Sequence, residues 1–147
     1  MDDARQSAGR RLADLRLRAG LTLLLPLLEL SLRKSGFART EARLARWMPD
    51  RPPGDGRSPG DLAALVNRAC APFGDRLCLR RAILLAWLLR RRGRSPVIRV
   101  GVRPADPRQS GPPGHAWVEL DGEPLNPKLR SGGGWIPLER PAPDTSR

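Results

Sequence analysis

One stretch of sequence decides the fold: Cys78-Leu-Arg-Arg-Ala-Ile-Leu-Leu-Ala-Trp-Leu-Leu-Arg-Arg-Arg-Gly93. Its apolar residues recur at helical spacing and predict a helix from about Leu77 to Arg92 with one face in the core. Gly93 stands just beyond this helix, where glycine is favoured. The triplet Arg90 to Arg92 lies in the last turn, where positive charge suits the negative end of the helix dipole.

Leucine-rich sequence precedes this helix and predicts further helices. Six leucines recur at spacings near three and four and predict a helical apolar face: Leu12, Leu15, Leu23, Leu24, Leu27 and Leu28. Gly20 and the pair Ser35-Gly36 are expected to divide residues 1–48 into two or three helices. We interpret residues 1–48 as a helical N-terminal region packed on the core. A docking surface for a partner is the alternative, and one region can serve both purposes.

A Pro/Gly-rich linker, PDRPPGDGRSPG at residues 49–60, separates this region from the rest. Ser58 or Asp61 is then placed to cap a short helix. The apolar residues predicted for that helix are Leu62, Leu65, Val66 and Ala69. Ala71-Pro72-Phe73-Gly74 ends it.

The hydrophobic period changes from residue 96 onwards and predicts a small antiparallel sheet. Along 115–120, Ala116, Val118 and Leu120 alternate with His115, Trp117 and Glu119. Asp121-Gly122 is a two-residue hairpin turn. Other strands are expected at 96–102, 123–126 and 135–138, and residues 140–147 are expected to be disordered. Helices followed by antiparallel strands make an α+β fold, whose core we place at residues 61–139.

Composition excludes several classes of protein. A chain of 147 residues fits one domain, and one histidine with two cysteines is too few for a Cys₄ or Cys₂His₂ zinc module. The net charge is +12, but only two of the 27 basic residues are lysines, a bias typical of GC-rich coding. The charge is therefore weak support for nucleic-acid binding.

The longest apolar stretch, Leu21 to Leu32, is too short for a membrane span and contains Pro26 and Glu29. Arg33-Lys34 follows it, where a signal peptide needs small residues. We therefore expect a cytoplasmic protein with reduced thiols. Weak, reversible contact between the leucine-rich segment and a membrane stays open.

Cys78 is the candidate nucleophile. It lies in the first turn of the predicted helix, where unsatisfied N–H groups and the dipole favour an anion, so we expect a lowered thiol pKa. Arg76, Arg80 and Arg81 are expected to add positive potential. Cys70 ends the preceding helix and is interpreted as a buried apolar residue. A purely structural role for Cys78 is the alternative.

The predicted hairpin carries the candidate catalytic histidine, His115. A turn at residues 121–122 aligns Trp117 with Asn126, which makes His115 and Asn126 diagonal neighbours, about 7–8 Å apart. Asn126 is then placed to accept a hydrogen bond from Nδ1–H of His115 and fix its tautomer. A thiolate facing such an imidazole is the arrangement of Cys-His-Asn acyl transfer. A half-buried histidine stacked beside Trp117 is the alternative.

Three runs, in this order, carry a family resemblance: Cys78 to Gly93, Val100-Gly-Val-Arg103 and His115-Ala-Trp-Val-Glu-Leu-Asp-Gly122. Together they resemble the transglutaminase-like B2 proteins of lasso peptide biosynthesis, the stand-alone counterparts of the C-terminal domain of the microcin J25 processing protein. The resemblance covers roughly residues 61–138. It implies a transglutaminase/papain-like core, with the catalytic helix packed on a small antiparallel sheet.

The resemblance implies a cysteine peptidase that removes the leader from a ribosomally made precursor. By position, Cys78 matches the nucleophile and His115 the general base. The third member in that family is usually an aspartate, whereas this chain offers Asn126, a residue type that fills the role in papain-like enzymes. An amide stabilises an imidazolium less than a carboxylate does, so a slower enzyme is expected. This chemistry requires no metal or organic cofactor.

The resemblance also implies partners: the precursor leader peptide, a separate leader-recognition protein that presents it, and an ATP-dependent lasso cyclase. Two other classes stay open. One is a transglutaminase-like binding module with an inert cysteine. The other is a basic nucleic-acid binder, disfavoured because the chain has four tryptophans, two phenylalanines, no tyrosine and no recognised binding motif.

Overall fold

In the described part of the chain, three α-helical elements, the first divided at Gly36, precede four short strands. The computed structural model describes residues 2–47, 55–74, 77–103, 114–125 and 134–138. Its elements are α1 (Asp2–Ala45), α2 (Pro59–Cys70), a 3₁₀ turn (Ala71–Phe73), α3 (Cys78–Arg90), β1 (Val97–Val102), β2 (Gly114–Leu120), β3 (Glu123–Pro124) and β4 (Ile136–Pro137). Helices followed by an antiparallel sheet confirm the predicted α+β class. The predicted disordered tail at 140–147 lies outside the described residues.

α1 is interrupted at one of the two predicted positions. The helix continues through Gly20, whereas Gly36 has φ 73° and ψ 178° and divides the helix there. The predicted break at Gly20 is wrong because the next residue, Leu21, is 2% exposed and packs in the core. Core packing outweighs the roughly 1 kcal/mol that one glycine costs a helix.

α1 packs on α2 and α3 through a face of leucines, most of which the spacing of leucines in the sequence did not predict to be buried. Leu21, Leu25 and Leu28 are at most 3% exposed and belong to the common core. Leu28 alone among the six leucines named above is fully buried. Leu24 is partly buried, and four are exposed: Leu12, Leu15, Leu23 and Leu27. α1 is therefore apolar on two sides, and one of them forms part of the core.

α2 begins with a capping box in which both predicted capping residues take part. Ser58 Oγ accepts a hydrogen bond from the Asp61 N–H at 3.1 Å, and Asp61 Oδ2 accepts one from the Ser58 N–H at 3.1 Å. The buried face of α2 is the predicted one, with Cys70 added at its end: Leu62, Leu65, Val66, Ala69 and Cys70.

The arginines at the end of α3 mainly bind other elements. Arg92 donates to the Leu88 carbonyl oxygen at 3.0 Å, as a cation at a helix C-terminus is expected to do. Arg90, in contrast, binds Glu41 of α1, and Arg91 donates to the Trp47 carbonyl oxygen at 2.7 Å. Arg90 lies in the last turn of α3 and Arg91 at its C-cap, as predicted, and in addition both side chains connect α3 to the end of α1.

An ion-pair network ties the segment before α2 to both other helices. Asp55 accepts hydrogen bonds from Arg57 and from Arg92 of α3. Arg57 also binds Asp14 of α1, with Nη2 and Oδ1 2.6 Å apart. Residues 55–58 of the predicted linker are thus held against the helices, while residues 49–54 lie outside the described part.

The four strands form one antiparallel sheet in the order β3-β2-β1-β4. Asp121 and Gly122 form the predicted turn, with φ of 54° and 83°. Leu120 pairs with Glu123, which is the predicted hairpin register. One face of β2 packs on α3 through three buried residues: Ala116, Val118 and Leu120. The other face carries His115, Trp117 and Glu119.

Among the helices of the described residues, none combines the length and the apolar character that a bilayer crossing needs.

Candidate active site

Cys78 is the first residue of α3 and is half-buried. The preceding residue, Leu77, makes no side-chain cap at this helix end. The backbone N–H of Leu79, in the first turn, instead hydrogen-bonds Cys78 and favours its thiolate. The start of α3 therefore stabilises negative charge on sulfur, as expected for a helix N-terminus.

His115 lies beside this thiol at the start of β2. Its side chain forms a hydrogen bond with Cys78, and this bond is the largest influence on the thiol pKa, which is lowered. Burial acts in the opposite direction, whereas the N–H of Ala116, the charge of His115 and the N–H of Leu79 lower the pKa further. The structure thus brings together the two residues that the sequence predicts as partners.

The arginines near Cys78 have other partners. Arg80 forms an ion pair with Glu29 of α1. Arg81 donates to the Gly74 carbonyl oxygen at 3.1 Å. Arg76 lies outside the described residues. The main causes of the lowered Cys78 pKa are the imidazole and backbone N–H groups, so Arg80 and Arg81 are not what chiefly lowers it, and the expectation for Arg76 stays a prediction.

Two tryptophans stack against His115. The ring centroid of Trp135 lies 5.0 Å from that of His115 at an interplanar angle of 30°, and the ring of Trp117 lies at 6.3 Å and 17°. The guanidinium of Arg103 covers Trp135, 4.9 Å from its centroid. The alternative interpretation of His115, a histidine stacked beside Trp117, therefore describes a real contact that coexists with the Cys78 hydrogen bond. Trp135, predicted only as a strand residue, is an addition to the site.

Trp117 is itself fixed by polar and steric contacts. Its Nε1 donates to Glu119 Oε1 at 3.0 Å, and Glu119 Oε2 accepts from Arg99 Nε at 3.0 Å. Gly101 pairs with His115 across β1 and β2 and leaves space for the indole, because a Cβ there would lie 2.8 Å from the Trp117 ring. A glycine inside a β-branched strand was the sequence signal for this close approach.

Asn126, the predicted third member, lies outside the described residues, so its role stays a prediction. The hairpin pairing extends to the residue before it, since the Leu125 N–H donates to the Val118 carbonyl oxygen at 3.0 Å. Asp121 lies in the turn, where the sequence placed it, and not beside His115.

A cavity of about 590 Å³ opens beside Cys78 and His115. Apolar side chains and small residues make up most of its described lining: Gly60, Ala63, Ala64, Val66, Ala82, Leu85, Ala116, Trp117, Val118 and Leu125. Asn67 and Arg81 add polar groups. The volume is within the range of small-ligand and substrate pockets. No sequence pattern indicated this cavity, because it forms between α2, α3 and the hairpin.

The second cysteine has the opposite environment. Cys70 is fully buried at the end of α2, and burial raises the pKa of its thiol. This confirms its interpretation as a buried apolar residue and distinguishes the two thiols chemically.

Comparison with known families places the site in context. A family model described as the transglutaminase-like superfamily matches residues 21–132. The match begins at Leu21, a core residue of α1, and includes all of α2, α3, β1, β2 and β3. Searches among curated proteins and among solved structures give no match.

Proposed function

The chain belongs to the transglutaminase-like superfamily, which includes cysteine hydrolases and transferases, and from this premise we propose that it is a cysteine peptidase. Its substrate in this proposal is a ribosomally synthesised lasso peptide precursor, from which it removes the leader. The observation that carries the proposal is the hydrogen bond between Cys78 and His115 at the start of α3, with the lowered thiol pKa. The order of the three sequence runs supports the choice of substrate.

In the first half-reaction, the Cys78 thiolate attacks the scissile carbonyl carbon. The tetrahedral oxyanion accepts a hydrogen bond from the backbone N–H of Cys78 at the helix start. The imidazolium of His115 then gives its proton to the leaving nitrogen, the C–N bond breaks, and the core peptide departs with a free amine. The leader remains as a thioester on Cys78.

In the second half-reaction, the neutral imidazole of His115 takes a proton from water as the oxygen attacks the thioester. The C–S bond breaks, the leader leaves as a carboxylic acid that releases its proton to the solvent, and the thiolate and imidazolium are restored. Asn126 orients the imidazole in this proposal by accepting from its Nδ1–H. Trp117 and Trp135 stack against the ring and help to hold its orientation.

The proposed partners follow from the same assignment. A leader-recognition protein presents the precursor to Cys78, and an ATP-dependent lasso cyclase uses the freed amine. We assign the contact with the presenting protein to α1, where five leucines of the described residues remain exposed after the core has formed: Leu12, Leu15, Leu23, Leu27 and Leu30. This assignment takes up the alternative raised by the sequence, in which residues 1–48 form a docking surface for a partner.

The experiment compares Cys78→Ala with Cys70→Ala on a lasso peptide precursor supplied with its leader-recognition protein. Intact-mass spectrometry follows the release of the leader and the core peptide. We expect wild-type protein and Cys70→Ala to cleave at one bond, and Cys78→Ala to leave the precursor intact. Circular dichroism verifies that both variants are folded.

Cleavage by folded Cys78→Ala contradicts the mechanism. An intact precursor with wild-type protein, together with slow iodoacetamide alkylation of Cys78 at neutral pH, favours the inert binding module. Steeply salt-dependent affinity for duplex or single-stranded nucleic acid is the result expected of a nucleic-acid binder.

A further inference from the structure

The cavity beside Cys78 and His115 is lined mainly by apolar and small residues. We infer that it is a pocket for an apolar substrate side chain within three residues of the scissile bond, and that the small residues of α2 set the size of that side chain. The inference rests on the proposed function, because it concerns the substrate of the same site.

The cavity extends from Cys78 along α3, so it lies next to the bond that the thiolate would attack. Cys78, Ala82 and Leu85 line it from a single face of α3. Leu85 is seven residues beyond Cys78, or about 10 Å along the helix at 1.5 Å per residue. An extended peptide advances roughly 3.3 Å per residue, so the cavity spans about three residues from the attacked carbonyl.

α2 forms one wall of the cavity, and three of the five residues that it contributes have little or no side chain, the other two being Val66 and Asn67. Gly60, Ala63 and Ala64 of α2 all line the cavity. A Cβ at Gly60 would meet just one neighbouring atom within 4 Å, Ser58 Oγ at 3.7 Å, so the space in front of this wall is open. Larger side chains at these positions would occupy the cavity themselves.

The chemistry of the lining determines which kind of substrate side chain binds favourably in the cavity. Ala82, Leu85 and Val118 are buried and contribute only hydrocarbon surface, and Leu125 is half-buried on the hairpin side. The polar part of the lining is Asn67 and Arg81, and Arg81 Nη2 donates to the Gly74 carbonyl oxygen at 3.1 Å. An apolar side chain would exchange water for hydrocarbon here, whereas a carboxylate would lose hydration.

The test uses thiol-reactive probes of increasing length. The rate of Cys78 alkylation reports on binding in the pocket and does not require peptide hydrolysis. Iodoacetamide is compared with its N-propyl, N-butyl and N-hexyl derivatives and with an N-carboxymethyl derivative on wild-type protein. Alkylation of Cys78 is followed by mass spectrometry. We expect the second-order rate constant to rise at least tenfold from iodoacetamide to the N-hexyl derivative, and the charged derivative to react most slowly.

Two variants test whether the α2 wall of the cavity causes the dependence of the alkylation rate on probe length. Ala64→Phe fills the cavity and is expected to reduce the chain-length ratio to about one. Ala42→Phe adds the same ring at an exposed position of α1 and is expected to keep the wild-type ratio. Thermal unfolding midpoints verify that both variants are folded, and the ratio is formed within each variant, so it is independent of overall reactivity.

The outcomes separate the two proposals. Rapid alkylation without dependence on chain length, or a ratio that Ala64→Phe leaves unchanged, overturns the pocket alone. A Cys78 that none of the probes alkylates overturns the proposed function together with the pocket. A chain-length effect in a protein that cleaves no precursor supports the pocket and contradicts the peptidase. If precursor is cleaved, replacing the apolar residues near the scissile bond by aspartate should reduce kcat/KM at least tenfold.

Discussion

Gly101 lies directly beneath the indole of Trp117, so closely that a Cβ at position 101 would lie 2.8 Å from two of its ring atoms and 2.8 Å from the Ile136 carbonyl oxygen. Trp117 stacks in turn against His115, which pairs with Gly101 across the two strands. A glycine on β1, an inner strand of the sheet, therefore sets where the aromatic support of the histidine can lie.

Gly101→Ala is expected to lower the free energy of unfolding by about 1–3 kcal/mol, because the methyl group has no space between a ring and a backbone oxygen. Gly20→Ala is the matched control. A Cβ at Gly20 meets nothing within 4 Å in a helix, so this change should raise stability by roughly 1 kcal/mol. Chemical denaturation measures both, and equal signs would contradict the packing described.

Trp135→Ala removes the ring that stacks at 5.0 Å from His115. An aromatic pair contributes about 0.5–1.5 kcal/mol, so we expect alkylation of Cys78 at neutral pH to slow roughly two- to tenfold as the imidazole loses its orientation. Trp47→Ala, at a 66% exposed residue, should leave the rate unchanged. Indistinguishable rates for the two variants would show that the stack has no part in positioning His115.

Asp55 connects two arginines, and this accounts for a pH dependence of stability. Burial raises its pKa, but hydrogen bonds from Arg92 and Arg57 outweigh burial and lower the pKa to about 2. The unfolded carboxyl titrates near 3.9, so its contribution to stability is full above about pH 5 and is lost as the pH falls towards 2.

Asp55→Asn should therefore destabilise the protein at pH 7, and its difference from wild type should shrink between about pH 4 and pH 2. Denaturation midpoints measured across this range provide the check. A difference that stays constant down to pH 2 would mean that the carboxylate charge is not what stabilises the fold.

Asn126→Ala is expected to slow precursor cleavage at least tenfold if this residue orients His115, since triad members act as a unit. Asn126→Asp should make the enzyme faster than wild type, because a carboxylate stabilises the imidazolium better than an amide. Single-turnover kinetics on the precursor measures both changes. Wild-type rates in both variants would remove Asn126 from the mechanism.

Local rules were sufficient for the parts of the site that the sequence predicted. Asp121-Gly122 determines the hairpin register, and the helix that begins at Cys78 places a thiol among backbone N–H groups. These features depend on turn chemistry and helix ends, which act over a few residues.

Long-range packing explains what the sequence did not reveal. α1 is apolar on two sides, so periodicity did not distinguish buried Leu21 from exposed Leu23. The partner of Arg80 is Glu29, far away in sequence, and the stack of Trp135 on His115 depends on how a later segment returns to the sheet. The cavity likewise forms where α2, α3 and the hairpin meet. The small residues of its α2 wall do not form a recognisable sequence motif.

The most direct test of the Cys78–His115 pair is the pH dependence of iodoacetamide alkylation at Cys78 in Cys70→Ala protein, with and without His115→Gln. The lowered pKa predicts an inflection below the value of about 8.5 of an ordinary thiol, so reactivity persists at lower pH. His115→Gln should move the inflection up and slow the reaction at pH 7. An inflection at or above 8.5 in the presence of His115, or one that the substitution leaves in place, would contradict the account.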